Sequence, residues 1–193
     1  MDDDLINHLT PKLVGDRPNT YTYTKALAEN LLIEECGDLP VAIVRPSIVT
    51  AAWNEPLRGW VDNFNGPTGL ILANGKGLLR TMLYNKAAVA DLIPVDVVIN
   101  LMITVAWYTA TRSQNSTMIY NCTSGLINPI TWTYIEKSAF PCLLKYPSLE
   151  VFRYPGGTFK TSRFMNNVVI FFDHILPAYA IDAVFALTGR KQM

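Results

Sequence analysis

Residues 20–29 read Thr20-Tyr21-Thr22-Tyr23-Thr24-Lys25-Ala26-Leu27-Ala28-Glu29, which sets a phenol and an ammonium four positions apart at the start of an expected helix. Residues four apart share one helix face, so Tyr21 and Lys25 become neighbours. A phenol ordinarily titrates near pH ~10 and is a poor proton donor at neutral pH, whereas an adjacent ammonium stabilises the phenolate and brings such a group toward the working range. Tyr-x-x-x-Lys is therefore an acid/base device. The same spacing also describes a solvated surface helix, and the segment after the helix decides between the two.

The helix is expected from Thr20 to Cys36, stopped by Gly37, with Leu27 and Leu31 turned inward and Glu29, Glu34 and Glu35 turned to solvent. After Gly37-Asp38-Leu39-Pro40 comes the apolar run Val41-Ala42-Ile43-Val44, which ends in Arg45-Pro46-Ser47-Ile48-Val49. A continuous apolar run of this length reads as a strand of a parallel sheet covered on both faces. Thr117-Met118-Ile119-Tyr120-Asn121-Cys122, closed by Ser124-Gly125, reads as a second strand.

A Tyr-x-x-x-Lys helix followed by a strand ending in Arg-Pro resembles the extended short-chain dehydrogenase/reductases. Pro18 to Glu29, Val44-Arg45-Pro46-Ser47-Ile48-Val49, Trp60-Val61-Asp62-Asn63-Phe64-Asn65-Gly66-Pro67 and Asp91-Leu92-Ile93-Pro94-Val95-Asp96 occur in that order. Together they resemble the alcohol-forming fatty acyl-CoA reductases. The resemblance covers nearly the whole chain, weakly before Thr10 and loosely after about Pro129, and matches the later portion of such proteins.

The resemblance implies NADPH as cofactor and a long-chain acyl-CoA as substrate. Tyr21 would donate the proton, Lys25 would assist it and hold the nicotinamide ribose hydroxyls, and Pro46, Ser47, Ile48 and Val49 would give backbone contacts to the carboxamide. An enzyme that stops at the aldehyde is the close alternative. The resemblance also implies an intracellular, membrane-associated protein of the peroxisome or endoplasmic reticulum, which works at a lipid surface and is open to homo-oligomer formation. Residues 1–148 would be the C-terminal part of an NAD(P)-binding reductase domain, and 149–193 the start of a C-terminal helical region.

The expected fold class is α/β: a partial doubly wound parallel sheet, Rossmann-like and lacking its first strands, followed by a hydrophobic helical segment. A reductase of this plan seats the dinucleotide pyrophosphate on a Gly-rich turn at a helix N-terminus. Upstream of Tyr21 only Gly15 is available, and residues 1–19 cannot supply several strands. The chain is thus read as the second half of a domain, and alone it is expected to be inactive.

Composition limits the rivals. Half of the 193 residues are apolar and 17% are charged, and sixteen acidic residues balance sixteen basic ones, so no polyanion partner such as nucleic acid is indicated. Low charge points to an apolar ligand, a membrane surface or a protein neighbour. Cys36, Cys122 and Cys142 lack metal-ligand spacing and are expected as reduced thiols. His8 and His174 sit in no ligand-spaced cluster, which argues against metal or triad chemistry. Met1-Asp2-Asp3-Asp4 is not an export signal, so Asn115-Ser116-Thr117 and Asn121-Cys122-Thr123 are taken as chance glycosylation matches.

In the rest of the chain, Thr10-Pro11 and Arg17-Pro18 mark loop before the helix. Residues 51–60 form a loop in which Trp53 and Trp60 are candidates to touch an acyl or pantetheine chain, or simply to pack the loop down. Gly66-Pro67-Thr68-Gly69 signals a turn. Gly75-Lys76-Gly77 fails the triphosphate-loop pattern, although Lys76 and Arg80 are candidates for coenzyme A phosphates. Asp96 is expected as N-cap of a buried helix over Val97–Tyr108. Val168–Leu187 is long enough for a membrane span, but Asp173, His174 and Asp182 are expensive in hydrocarbon and Pro177 is expected to divide the run into two short helices lying in an interface or capping an acyl tunnel.

Two further functions compete. One is a non-catalytic, truncated lipid-surface or partner-binding fragment. The other is a sugar-nucleotide epimerase of the same superfamily, which the paired tryptophans and apolar tail fit less well.

Overall fold

The computed structural model describes residues 2–112 and 116–188. These form two compact units: residues up to Arg45 together with Asn100–Asn121, and Pro46–Ile99 together with the chain from Cys122 onward.

The first unit opens on α1 (Asp3–Val14), where loop was expected. Asp2 caps it by accepting the Asp4 amide at 3.3 Å, and Pro11 lies inside the helix. Pro11 lacks the N–H that would bond back one turn, but a single missing bond near a helix end is tolerated where the cap and the remaining ladder hold. Gly15 takes the left-handed φ of 58° and closes the helix through its amide to the Pro11 carbonyl at 3.1 Å.

Helix α2 (Thr20–Glu35) matches its expected bounds closely, with Cys36 as C-cap and Gly37 at φ 54° beyond it. Its expected inward face is not buried: Leu27 is 55% and Leu31 51% exposed. Strand β1 (Ala42–Pro46) pairs with β4 (Met118–Cys122). Ile43 is buried, whereas Met118 and Ile119 are exposed, which agrees with the expected partial sheet lacking its first strands. Asn115 of the first glycosylation match lies outside the described residues.

In the second unit, β2 (Ile48–Thr50) runs parallel to β3 (Leu92–Pro94), with Ile48 opposite Leu92 and Val49 opposite Ile93. The expected turn at Gly66–Gly69 is instead the start of α3 (Pro67–Gly75): Gly66 supplies a left-handed φ of 55°, and Pro67 suits the first helical position because its missing N–H costs nothing there. Helix α4 (Val95–Thr111) follows β3 without a loop, its residues from Asn100 on belonging to the first unit; its Val98, Val105 and Thr109 are buried while Ile103 and Trp107 are exposed. Helix α5 (Trp132–Lys145) is capped by Thr131.

Segment 152–160 is tied along residues 76–84, through the Phe152 amide to the Lys76 carbonyl at 3.0 Å, Thr158 to Arg80 at 3.0 Å and Lys160 to Met82 at 2.8 Å. The approach is close enough that a side chain at Gly157 would stand 2.5 Å from the Arg80 carbonyl oxygen.

The hydrophobic run near the end forms one helix, α6 (Arg163–Leu187), and not two. A single wide turn over Phe171–Ile175 lies just before Pro177. Proline removes the amide that would bond the Asp173 carbonyl. That carbonyl is satisfied from outside the helix, by Arg153 Nη2 at 2.8 Å, which is why the helix continues. One residue later, His174 Nε2 accepts the Arg80 amide at 3.2 Å, and nearer the helix start the buried Thr81 hydroxyl donates to Asn166 Oδ1 at 2.9 Å. His174 is thus a structural acceptor. Among the described residues no His, Cys, Asp or Glu cluster could hold a metal ion, and Cys36, Cys122 and Cys142 are free thiols.

Candidate active site

The start of α2 fixes Tyr21 and Lys25. Asn19 Oδ1 accepts the Thr22 amide at 2.9 Å, and the Thr22 and Thr24 hydroxyls donate back to the carbonyls of Asn19 and Tyr21 at 2.9 and 3.0 Å. Tyr21 therefore sits in the first turn and Lys25 one turn on. The Lys25 ammonium lies 5.6 Å from the centroid of the Tyr21 ring, a cation–π contact. Tyr21 is 67% exposed, so its hydroxyl is open to an incoming molecule. Among the described residues the ion pairs are Arg45–Glu29 and Lys76–Glu150, so Lys25 keeps its three N–H donors available for cofactor hydroxyls.

One turn beyond Lys25, Glu29 is not a solvated carboxylate as expected. Arg45, at the end of β1, grips it with both arms of its fork, Nε to Oε1 at 2.9 Å and Nη2 to Oε2. That hydrogen bonding, with further attraction from Arg45 and Arg17, holds the Glu29 carboxyl below the usual range. The partner lies sixteen positions away, and no local spacing in the sequence signals it.

The other expected site residues follow Arg45 in the second unit. Pro46 ends β1 and has no amide; Ser47 donates its amide to the Cys122 carbonyl at 3.0 Å, and Ile48 donates to the Asp91 carbonyl at 3.1 Å. The amides of Ser47 and Ile48 are therefore engaged within the fold, while Val49 lies opposite Ile93 in the parallel pair.

The neighbouring Asp91 carboxylate accepts the Ser124 amide at 2.8 Å, and Ser124 Oγ donates to the Leu92 carbonyl at 2.8 Å. The Ser124 amide is the main reason that Asp91 titrates below its ordinary range, with the Ser124 hydroxyl and the Gly125 amide adding to it. Ser124-Gly125 thus acts as more than a strand stop, since a side chain at Gly125 would stand 3.0 Å from Asp91 Oδ2.

Asp96 does not cap α4, which already begins at Val95. Its carboxylate accepts the amides of Trp53 at 2.9 Å, Asn54 at 2.8 Å and Glu55 at 3.2 Å, and so holds the start of the loop after β2. Trp53 and Trp60 are both exposed, so neither packs the loop down. Of the candidates for coenzyme A phosphates, Lys76 pairs with Glu150 at 2.7 Å, and Arg80 Nη1 donates to the carbonyls of Tyr154 at 3.0 Å and Gly156.

The sequence profile of an NAD-binding family, described as Male sterility protein, matches residues 1–102 of the 193. The chain belongs to this family. Membership in an NAD-binding family agrees with the α/β, Rossmann-like architecture, its parallel β2–β3 pair and its apolar C-terminal helix. Fatty acyl-CoA reductase 2 of Mus musculus is 52% identical over 191 residues, 99% of this chain and 37% of that protein. Fatty acyl-CoA reductase 1 of Gallus gallus is 48% identical, and that of Homo sapiens 47%, over the same share of each. This member of the male sterility family thus spans about 37% of the length of these relatives.

Proposed function

We propose that the complete protein carrying this chain reduces long-chain acyl-CoA to the primary alcohol with NADPH, and that Tyr21 and Lys25 are its acid and the partner of that acid. The observation that carries this reading is the Lys25 ammonium held 5.6 Å from the ring of an exposed Tyr21 at a well-capped helix start. The names of the relatives and the family match support the same chemistry.

The dinucleotide, when bound, supplies hydride to the thioester carbonyl carbon. Tyr21 then gives its proton to the carbonyl oxygen as negative charge develops there, which avoids a free oxyanion. Lys25 stabilises the phenolate left behind and donates to ribose hydroxyls. Loss of coenzyme A as its thiol would leave an aldehyde, and Tyr21, reprotonated from solvent, would protonate the oxygen a second time once a second NADPH has replaced the spent one and supplied the second hydride. Pro46 to Val49 border the nicotinamide in this reading, through groups other than the two engaged amides. Residues 1–148 belong to the reductase domain and 149–193 begin the helical region after it.

We further assign α6 to a lipid surface, of the peroxisome or the endoplasmic reticulum. Between Val168 and Leu187 its exposed residues, among them Phe171, Phe172, Leu176, Tyr179, Val184 and Leu187, are all apolar, whereas Asp173, His174 and Asp182 lie among the less exposed ones. We take that segregation, with Asp173, His174 and Asp182 in mid-run, to favour a helix lying in the interface over one that spans.

The test of the catalytic reading is steady-state NADPH oxidation by the complete protein with a long-chain acyl-CoA. Tyr21→Phe should abolish nearly all turnover and leave NADPH affinity within a few fold, because the proton donor alone is lost. Lys25→Met should damage both. Equal losses of NADPH affinity in the two variants would refute these roles.

A further inference from the structure

Tyr21, Lys25 and Glu29 stand at successive four-residue steps of α2, so Lys25 has the ring on one side and, by helix geometry, a carboxylate within reach on the other. A Lys–Glu pair four apart is an ordinary helix contact. An ammonium that settled into it would be drawn from the phenol and would offer fewer donors to a ribose. In the structure this does not happen: Glu29 is turned to Arg45, which engages both of its oxygens, and Lys25 rests on Tyr21.

The competition is unequal for physical reasons. The guanidinium matches a carboxylate with two parallel N–H donors, a geometry that an ammonium cannot reproduce. Arg17 adds a weaker attraction. The Glu29 side chain is also only 25% exposed, so its pairing is less diluted by water than that of an open surface pair.

We propose that Arg45 is a positioning residue for the acid/base pair: by holding the Glu29 carboxylate it keeps Lys25 available to the Tyr21 phenol and to the cofactor. This rests on the assignment of Tyr21 and Lys25 as acid and partner. It gives the Arg of the Arg-Pro strand end a role that acts through a different residue.

The idea predicts an asymmetry that a simple brace between α2 and β1 does not. Arg45→Met and Glu29→Gln break the same contact, but only the first leaves a free carboxylate one turn from Lys25. In the complete protein, kcat and the KM for NADPH are measured from about pH 6 to about pH 10. Arg45→Met should lower kcat about tenfold, raise KM several-fold and move the alkaline limb of the kcat profile up by about one pH unit, since an ammonium drawn to Glu29 no longer favours the phenolate. Glu29→Gln should change kcat by less than about threefold and leave the limb in place, and Arg45→Met/Glu29→Gln should return the limb toward its original position.

If Arg45→Met does not fold, Arg45→Lys carries the comparison, with a limb displaced in the same direction by less. Equal damage from Arg45→Met and Glu29→Gln, or an unmoved limb in Arg45→Met, overturns the inference and leaves a structural brace. Tyr21→Phe in the same series separates the two levels. If it retains turnover, the catalytic assignment falls and takes the inference with it; if it is inactive while the asymmetry is absent, only the inference falls.

Discussion

The Asp96 carboxylate and the Asn54 amide meet at 2.8 Å across forty-two positions of sequence, and the Trp53 and Glu55 amides converge on the same carboxylate. An Asp beside a helix start ordinarily serves its own helix. Here the acid at the start of α4 instead fixes the entry of the loop that carries Trp53 and Trp60. The three amides, that of Trp53 first, pull the Asp96 pKa down to about 2 from an ordinary 3.8.

Asp96→Ala should therefore loosen residues 53–60 without unfolding β2 or α4, seen as faster limited proteolysis and hydrogen exchange confined to that loop. Because folding lowers this pKa, the fold favours the ionised form: the contribution of Asp96 is complete above its ordinary value of 3.8 and is lost as pH falls through about 2. Hydrogen exchange of the Asn54 amide should accelerate in that window relative to amides elsewhere in the chain. Equal protection on both sides of the window would remove Asp96 from the loop.

Thr81 and Asn166 form a buried polar pair, 4% and 7% exposed, joined at 2.9 Å. Thr81→Val keeps the shape and strands the Asn166 oxygen, which should cost about 1–3 kcal/mol in urea denaturation. Thr81→Val/Asn166→Leu should cost less than the two single changes added together, because the stranded group is then gone. Simple additivity would mean that the two side chains do not share the bond.

Arg153 and Pro177 should be coupled in the same way. Arg153→Met removes the donor to the Asp173 carbonyl, at a cost of roughly 1.5 kcal/mol for a charged donor. Pro177→Ala restores a backbone amide that can take over that carbonyl, so in its background Arg153→Met should cost less than half as much. Thermal or urea denaturation of the four proteins measures the coupling.

What the sequence revealed and what it hid divide by distance along the chain. Tyr21 beside Lys25 was legible because helix pitch alone brings them together, and the C-terminus of α2 was legible because Gly37 follows it. The start of α3 was misread because Gly66-Pro67 serves a turn and a helix start equally well. Helix α1 is hidden because Thr10-Pro11 reads as a breaker, while the Asp2 cap that starts the helix sits in an acidic run. Three other corrections turn on a partner far away in sequence: Glu29 on Arg45, Asp96 on the amides of residues 53–55, and the Pro177 gap on Arg153. Periodicity carries no information about such partners, and at each of them the rule for an isolated segment was locally sound.

The membrane reading of α6 is open to direct measurement. Its exposed apolar side chains lie apart from Asp173 and His174, and the Asp173 carbonyl and His174 ring are fastened to Arg153 and Arg80. A helix held in this way can lay one face into a leaflet while its middle stays attached to protein, whereas spanning would require both fastenings to break and the polar residues to enter hydrocarbon. Each Phe that leaves water contributes about 1.5–3 kcal/mol, so Phe171→Ser and Phe172→Ser should each weaken flotation with phosphatidylcholine vesicles about tenfold or more. Arg153→Met, which loosens the helix without altering its apolar face, should weaken flotation much less. Alkaline carbonate should release residues 1–193 from membranes, and protease added from outside should reach both ends of α6 in sealed vesicles. Resistance to carbonate together with protection of one end would show that the helix crosses the bilayer and that its polar fastenings do not survive there.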